Sequence, residues 1–170
     1  MIATTLAALL LTSCVSFGGK PPVSLLTLSA DATVSAGTSN SGMAKDAMVV
    51  LTPKVPRKLD TNRVPVQIDA GNVAYLKDSV WTDKPAVLVQ QLLAETLSAK
   101  NGALILSEME SAGKAERYLS GQLAEFGIDE SRMEAVVIFD AVHIRKGAAI
   151  EKRRFEAREP VSEISPRPTG

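Results

Sequence analysis

The sequence predicts an α+β fold: a mostly antiparallel sheet with one long amphipathic helix packed on it, in two layers. Three observations carry that expectation. One stretch, residues 85–101, repeats its apolar side chains at helical spacing. Several others are β-branched or alternate apolar with polar side chains, as strands do. Aromatic residues make up 4% of a chain that is 45% hydrophobic, so the core must be built from Val, Leu, Ile and Ala. At 170 residues the chain can bury one such core and is too short for two ordinary domains.

Taken in order, residues 2–11 (IATTLAALLL) are uncharged and apolar, the length of a signal-peptide core and well short of the roughly 20 residues that span a bilayer. Leu11-Thr12-Ser13-Cys14 follows, with the pattern of a lipobox: a large aliphatic residue, two small ones, then the only cysteine. Residues 1–13 are therefore read as a signal peptide and Cys14 as the lipidation site, its thiol taking up a diacylglycerol, with palmitate among the expected chains. Two or more acyl chains, at about 0.8 kcal/mol per buried methylene, hold a protein on its membrane essentially for good. No Lys or Arg precedes the apolar run, as would result if the true start lay upstream of Met1. Residues 14–23, with two glycines and two prolines, read as a lipidated tether.

Residues 24–160 are the expected folded domain. A short strand at 24–29 is followed by a small, polar, aperiodic stretch at 30–46, a loop or disordered span. Residues 47–52 (AMVVLT) read as a strand stopped by Pro53. Residues 64–69 and 73–77 alternate around an Ala70-Gly71-Asn72 turn and read as a hairpin, with Pro65 suggesting an edge position. Trp81, the only tryptophan, reads as a core plug. Thr82 or Asp83 is placed to cap the helix, Pro85 suits its first turn, and Val89, Leu92, Leu93, Thr96 and Leu97 form its apolar face. Asn101-Gly102 closes it with a left-handed cap. Strands are expected at 103–109, 118–126, 133–144 and 148–157, and residues 161–170 as a disordered tail.

The chemistry of the residues points away from catalysis. Nineteen basic and nineteen acidic residues cancel, so no basic surface grips phosphate backbones and nucleic acid is not an expected partner. The only histidine, His143, stands three positions from Asp140 on an apolar strand, which puts the two on opposite faces. One histidine and one lipid-bearing cysteine do not build a metal site, and no cofactor is expected. Phe17-Gly18-Gly19-Lys20 lacks the strand and helix of a phosphate loop. A hydrolytic or sugar-binding role would have to use His143, Asp140 and Arg153 together.

Four pieces in sequence order carry a family likeness: the lipobox; YLKDSVWTDKP running from Tyr75 through Trp81 to Pro85; LSGQLAEF, with Leu119, Gly121, Leu123 and Phe126; and RRFEA, with Phe155. Together they resemble the ABC-type transport auxiliary lipoproteins, the PqiC-like family, over roughly residues 25–160. In that family these motifs are structural. Gly121 is expected to allow close approach of the helix or of Trp81, with Phe155 closing the sheet's other end. The resemblance implies a periplasm-facing lipoprotein that docks onto the MCE-domain subunit of an ABC-type lipid transport system. Val15 is not the aspartate that retains lipoproteins in the inner membrane, which implies the outer membrane as the anchor site. It further implies a C-terminal Ala- and Leu-rich helix; here the chain turns Pro-rich instead. A lipid-binding shuttle or chaperone, opening a space between helix and sheet for an acyl chain, is the alternative, and a homo-oligomer is left open.

Overall fold

The computed structural model describes residues 24–162 and residue 164. The expected signal peptide, Cys14 and the tether lie outside these residues, as does most of the expected tail. The elements run β1 (Ser24–Leu26), β2 (Met48–Val50), a 3-10 turn (Arg57–Leu59), β3 (Arg63–Gln67), β4 (Val73–Trp81), α1 (Pro85–Asn101), β5 (Ile105–Leu106), α2 (Glu108–Ser111), β6 (Arg117–Asp129), β7 (Glu134–Arg145) and β8 (Glu151–Pro160).

All eight strands join one curled mixed sheet, so the fold is α+β as the sequence predicts. The long pairings β3·β4, β6·β7 and β7·β8 are antiparallel. The short pairings β1·β4, β2·β5, β2·β6 and β3·β6 are parallel. β6 is the centre. One of its edges pairs with β7 from Arg117↔Arg145 to Asp129↔Glu134. Its other edge is shared: β2 takes the beginning, with Val49 opposite Tyr118, and β3 takes the end, with Val66 opposite Ile128. Lys54 fills the gap between them, its N–H donating to the Gly121 carbonyl at 2.9 Å while its carbonyl accepts from Leu123 at 2.9 Å. Backbone groups along the middle of β6 are thereby satisfied on both sides, as burial requires.

The core follows from the pattern of β6 and β7. Leu123 and Phe126 are three residues apart yet share a face, because the β6·β7 register shifts between Leu123 and Glu125. They meet Phe139 and Ala141 of β7, Leu59 of the 3-10 turn and Val89 of α1 in the buried cluster. Leu119, Trp81, Leu93 and Val137 pack against it, half-buried.

α1 has the predicted span and the left-handed Gly102, φ 57°, at its end. Its beginning differs from expectation. Lys84, not Thr82 or Asp83, holds the cap position without a side-chain cap bond, and the Asp83 carboxylate accepts the Lys84 N–H at 2.7 Å. Burial concentrates on Pro85, Ala86, Leu88 and Val89, while Leu92, Thr96 and Leu97 are only half-buried. The polar stretch at 30–46 crosses this helix as an ordered strap. Val34 N–H donates to the Glu95 carboxylate at 2.7 Å, and the Asn40 amide donates to the Ser98 hydroxyl at 3.3 Å.

Two further expectations give way. The predicted strand at 103–109 is cut to Ile105–Leu106, because Ser107 and Glu110 form a reciprocal capping box that starts α2. β3 is an interior strand between β4 and β6, not an edge. Pro65 stands opposite Tyr75 at a break in the β3·β4 register between Arg63 and Pro65, the kind of irregularity at which a sheet takes up a residue without an N–H.

Both glycines of β6 are there for space. A Cβ on Gly121 would land on the Asp140 carbonyl and within 2.8 Å of the Phe139 ring. The close neighbour is therefore β7, not the helix or Trp81. A Cβ on Gly127 would strike the Pro65 carbonyl and lie 2.9 Å from its ring. Gly121→Ala and Gly127→Ala should each cost about 1–3 kcal/mol of stability by overpacking. Gly71→Ala, whose nearest contact would be an ordinary 3.7 Å, should stay within about 0.5 kcal/mol of the parent when all three variants are unfolded by urea titration. Equal effects at the three positions would show that the crowding around β6 is not limiting.

Candidate functional site: an apolar groove and an open strand edge

The curl of the sheet leaves an apolar groove of about 270 Å³ past the core, on the face that carries Phe126 and Val137. Val64 of β3, Leu76 and Trp81 of β4, Phe126 of β6, Val137 of β7 and Ala157 of β8 supply its walls. Leu26 and Val161 border it, and Glu159 is the one charged side chain along it. No residue of α1 takes part, so the space lies within the curled sheet and not between helix and sheet as the shuttle reading expected. Leu76 belongs to a stretch of β4 that bulges away from β3, where Tyr75 pairs with Pro65 and Val80 already pairs with Arg63. Asp78 takes a left-handed φ of 55° within that bulge.

Trp81 stands where β4 ends, opposite Leu26 of β1, its ring centroid 5.0 Å from that of Phe126 at a tilted 43°. Its Nε1 is buried with no acceptor among the described residues. Orphaned buried donors cost about 1–3 kcal/mol, so the indole earns its position through its apolar contacts. Pro85 is fully buried at the start of α1, Leu123 is fully buried, and Gly121 and Leu119 lie on the same face two and four residues before Leu123 in β6. These residues frame the core beside the groove; Trp81 and Phe126 belong to both. The remaining groove residues escaped the sequence reading. Period-two spacing of Phe155 and Ala157 in RRFEA was the available signal for the β8 wall, since it sets both on the core-facing side.

β8 is an edge strand, paired only with β7, and its first seven residues are exposed. Seven of its ten residues are charged. Phe155, opposite Phe139, keeps 49% of its surface exposed, with the Arg153 guanidinium 5.0 Å over its ring. Its ring forms the margin of the core and does not seal it. On the opposite face Arg154 donates twice to the Asp140 carboxylate, both at 2.7 Å. Arg158 reaches Glu156 at 2.6 Å and Glu134 at 3.3 Å.

His143 and Asp140 are not brought together. His143 Nδ1 lies 3.8 Å from Glu151, while Asp140 is engaged by Arg154 on the other face. Arg153 stacks on Phe155 and joins neither. Among the described residues no three His, Cys, Asp or Glu side chains group to hold a metal, and no helix is long and apolar enough to cross a membrane.

The curled mixed sheet backed by a single long helix is an α+β fold shared with solved structures. A crystal structure of an uncharacterized protein superposes with a TM-score of 0.59 at 17% identity, covering 69% of this chain and 76% of that one. Protein XCC0632 from Xanthomonas campestris superposes with a TM-score of 0.62 at 13% identity, covering 82% of this chain and 80% of that one. At these identities the likeness establishes the fold alone. The sequence profile of the ABC-type transport auxiliary lipoprotein component matches residues 26–167, and the chain belongs to that family. It is thus an auxiliary lipoprotein of an ABC-type transport system. No curated protein sequence matches it.

Ionisation ties the open edge to stability. Asp140 is held below its ordinary value of 3.8, chiefly by the Arg154 hydrogen bond. Asp129 is lowered by the Ser131 hydroxyl and more weakly by Arg132 and Arg158, and Asp69 by the Asn72 amide. A carboxylate depressed in the folded state stabilises above its unfolded pKa, and that contribution disappears as pH falls through the folded value. The thermal midpoint should therefore hold steady from about pH 7 to 5 and drop below about pH 4, and Asp140→Asn should make the drop shallower. A midpoint that rises on acidification would contradict this assignment.

Proposed function

We propose that the chain is a docking subunit without turnover of its own. It is acylated at Cys14, held in the outer membrane facing the periplasm, and bound to the MCE-domain subunit of an ABC-type lipid transport system. Membership of the auxiliary lipoprotein family supports the setting, and the lipobox supports the anchor. The observation that carries the docking role is β8: a ten-residue strand with an unpaired outer edge among the described residues. Open edges accept a further strand through backbone hydrogen bonds. Dense charge on β8 discourages indiscriminate pairing and leaves recognition to a partner whose own charges alternate to match. Phe155 and its stacked Arg153 supply an apolar anchor in mid-strand, of the type on which interface energy concentrates.

Two experiments test this. A photo-crosslinking residue at Lys152 or Phe155, in cells, should capture an MCE-domain protein, and one at Lys100 on the far end of α1 should not. Capture of nothing at β8, or the same capture from Lys100, would count against docking by this edge. Cys14→Ser should move the protein from the membrane to the soluble envelope fraction, and Val15→Asp should shift it on a sucrose gradient from outer to inner membrane. An unaltered distribution in both variants would refute the anchor.

A further inference from the structure

Three of the large apolar side chains left exposed gather at one end of the sheet. Ile68 and Val73, 38% and 40% exposed, flank the β3–β4 turn. Met133, 38% exposed, sits in the β6–β7 turn. The two turns are side by side, because Gln67 pairs with Asp129 and the Glu130 N–H donates to the Gln67 carbonyl at 3.0 Å. The end of β8 joins them through the Val161 N–H, which donates to the Met133 carbonyl at 2.8 Å. β1 runs parallel to the last residues of β4, with Ser24 opposite Ser79 and Leu26 opposite Trp81, so it enters the sheet from the side on which β4 begins. The groove borders the same end through Ile128, Ala135 and Val161.

Chain length ties this end to a membrane. Nine residues, 15–23, separate Cys14 from Ser24 and span at most about 30 Å. With a lipid on Cys14, the tether reaches the domain from the side on which the exposed Ile68, Val73 and Met133 lie, and Leu26, two residues past Ser24, already lines the groove. Clustered exposed apolar side chains on a soluble domain mark a place where another apolar surface docks. The groove is larger than the roughly 150 Å³ that suffices for an apolar protein cavity to hold a benzene ring, and its walls offer almost no polar partner to retain water.

From these placements we infer that the groove takes one acyl chain of a phospholipid from the membrane to which the protein is tethered. The chain lies against Trp81 and Phe126, with Ile68, Val73 and Met133 meeting the bilayer. This deepens the lipid-anchor reading and rests on it for the source of the lipid. It places the domain base-down on the membrane and leaves the β8 edge free at the side.

Trp81, the only tryptophan, reports directly on the groove. In the full chain carrying Cys14→Ser, which has no lipid of its own, titration with 9,10-dibromostearate should quench Trp81 fluorescence saturably by at least half. Ordinary stearate should reverse the effect. Ala157→Phe fills the groove from an exposed edge strand that tolerates bulk, and should weaken the quenching at least fivefold with circular dichroism unchanged. In the acylated protein on vesicles of brominated phosphatidylethanolamine, Trp81 should again be quenched, and Ala157→Phe should restore its emission. Val161→Asp provides a second blocked groove should the Phe variant misfold. Absent or unsaturable quenching by dibromostearate overturns the groove, and quenching by the free acid but not by the vesicle lipid overturns the membrane source. Mass spectrometry of Cys14 reports on the anchor separately, so failure of one reading is distinguishable from failure of the other.

Discussion

Everything in this fold depends on β6 being able to serve three neighbours at once. An ordinary strand in a flat sheet has one partner on each side. β6 gives one edge to β7 and divides the other between β2 and β3, with Lys54 bridging the gap. For that to work the sheet must curl, and curling brings β7 and β3 too close for side chains at two points. Glycine stands at both, Gly121 beneath Phe139 and Gly127 beside Pro65. The register shift after Leu123 then turns Phe126 back into the core. Core and groove are two stretches of one concave surface, the first closed by the start of α1 and the second left open.

Much of this was readable from residues alone, and the parts that were not share a cause. The helix and the β6–β7–β8 meander announce themselves through long local periodicity, and Gly102 through its position after the last helical residue. Pairing partners of the short strands are another matter. Whether Val49 lies beside Tyr118, or Val66 beside Ile128, depends on contacts between distant parts of the chain that leave no local trace. Pro65 suggested an edge because its missing N–H has to go somewhere, and the structure places it at a register break instead. The Ser107–Glu110 capping box was present in the sequence as S-x-x-E and was masked by the apolar run before it. Gly121 was recognised as a point of close approach, with the wrong neighbour. The groove could not be read from local pattern, since six separate strands contribute one to three residues each.

The site residues divide by role once placed. Pro85, Leu119, Gly121 and Leu123 hold the sheet and helix in register. Trp81 and Phe126 continue from that core into the groove, and Phe155, on the core-facing side of β8, lies 49% exposed at the open edge. A motif that reads as uniformly structural thus runs from packed interior to two exposed surfaces, without any change in the type of residue that composes it. Its polar neighbours are accounted for by pairing: Asp140 with Arg154, and Glu125 with Lys58 at 2.6 Å.

The division of β6 between near and distant partners also sets the order in which the molecule can assemble. β6, β7 and β8 follow one another through short turns, so that meander closes cheaply from neighbouring residues. β2 and β3 must wait for β6, made much later in the chain, and each parallel pairing closes a long loop against its entropy. Until they arrive, the outer edge of β6 and the apolar face around Leu123 stay uncovered. The N-terminal half of the domain is therefore the last to settle, and the interval before it does is the one in which the chain is most open to a chaperone or to aggregation.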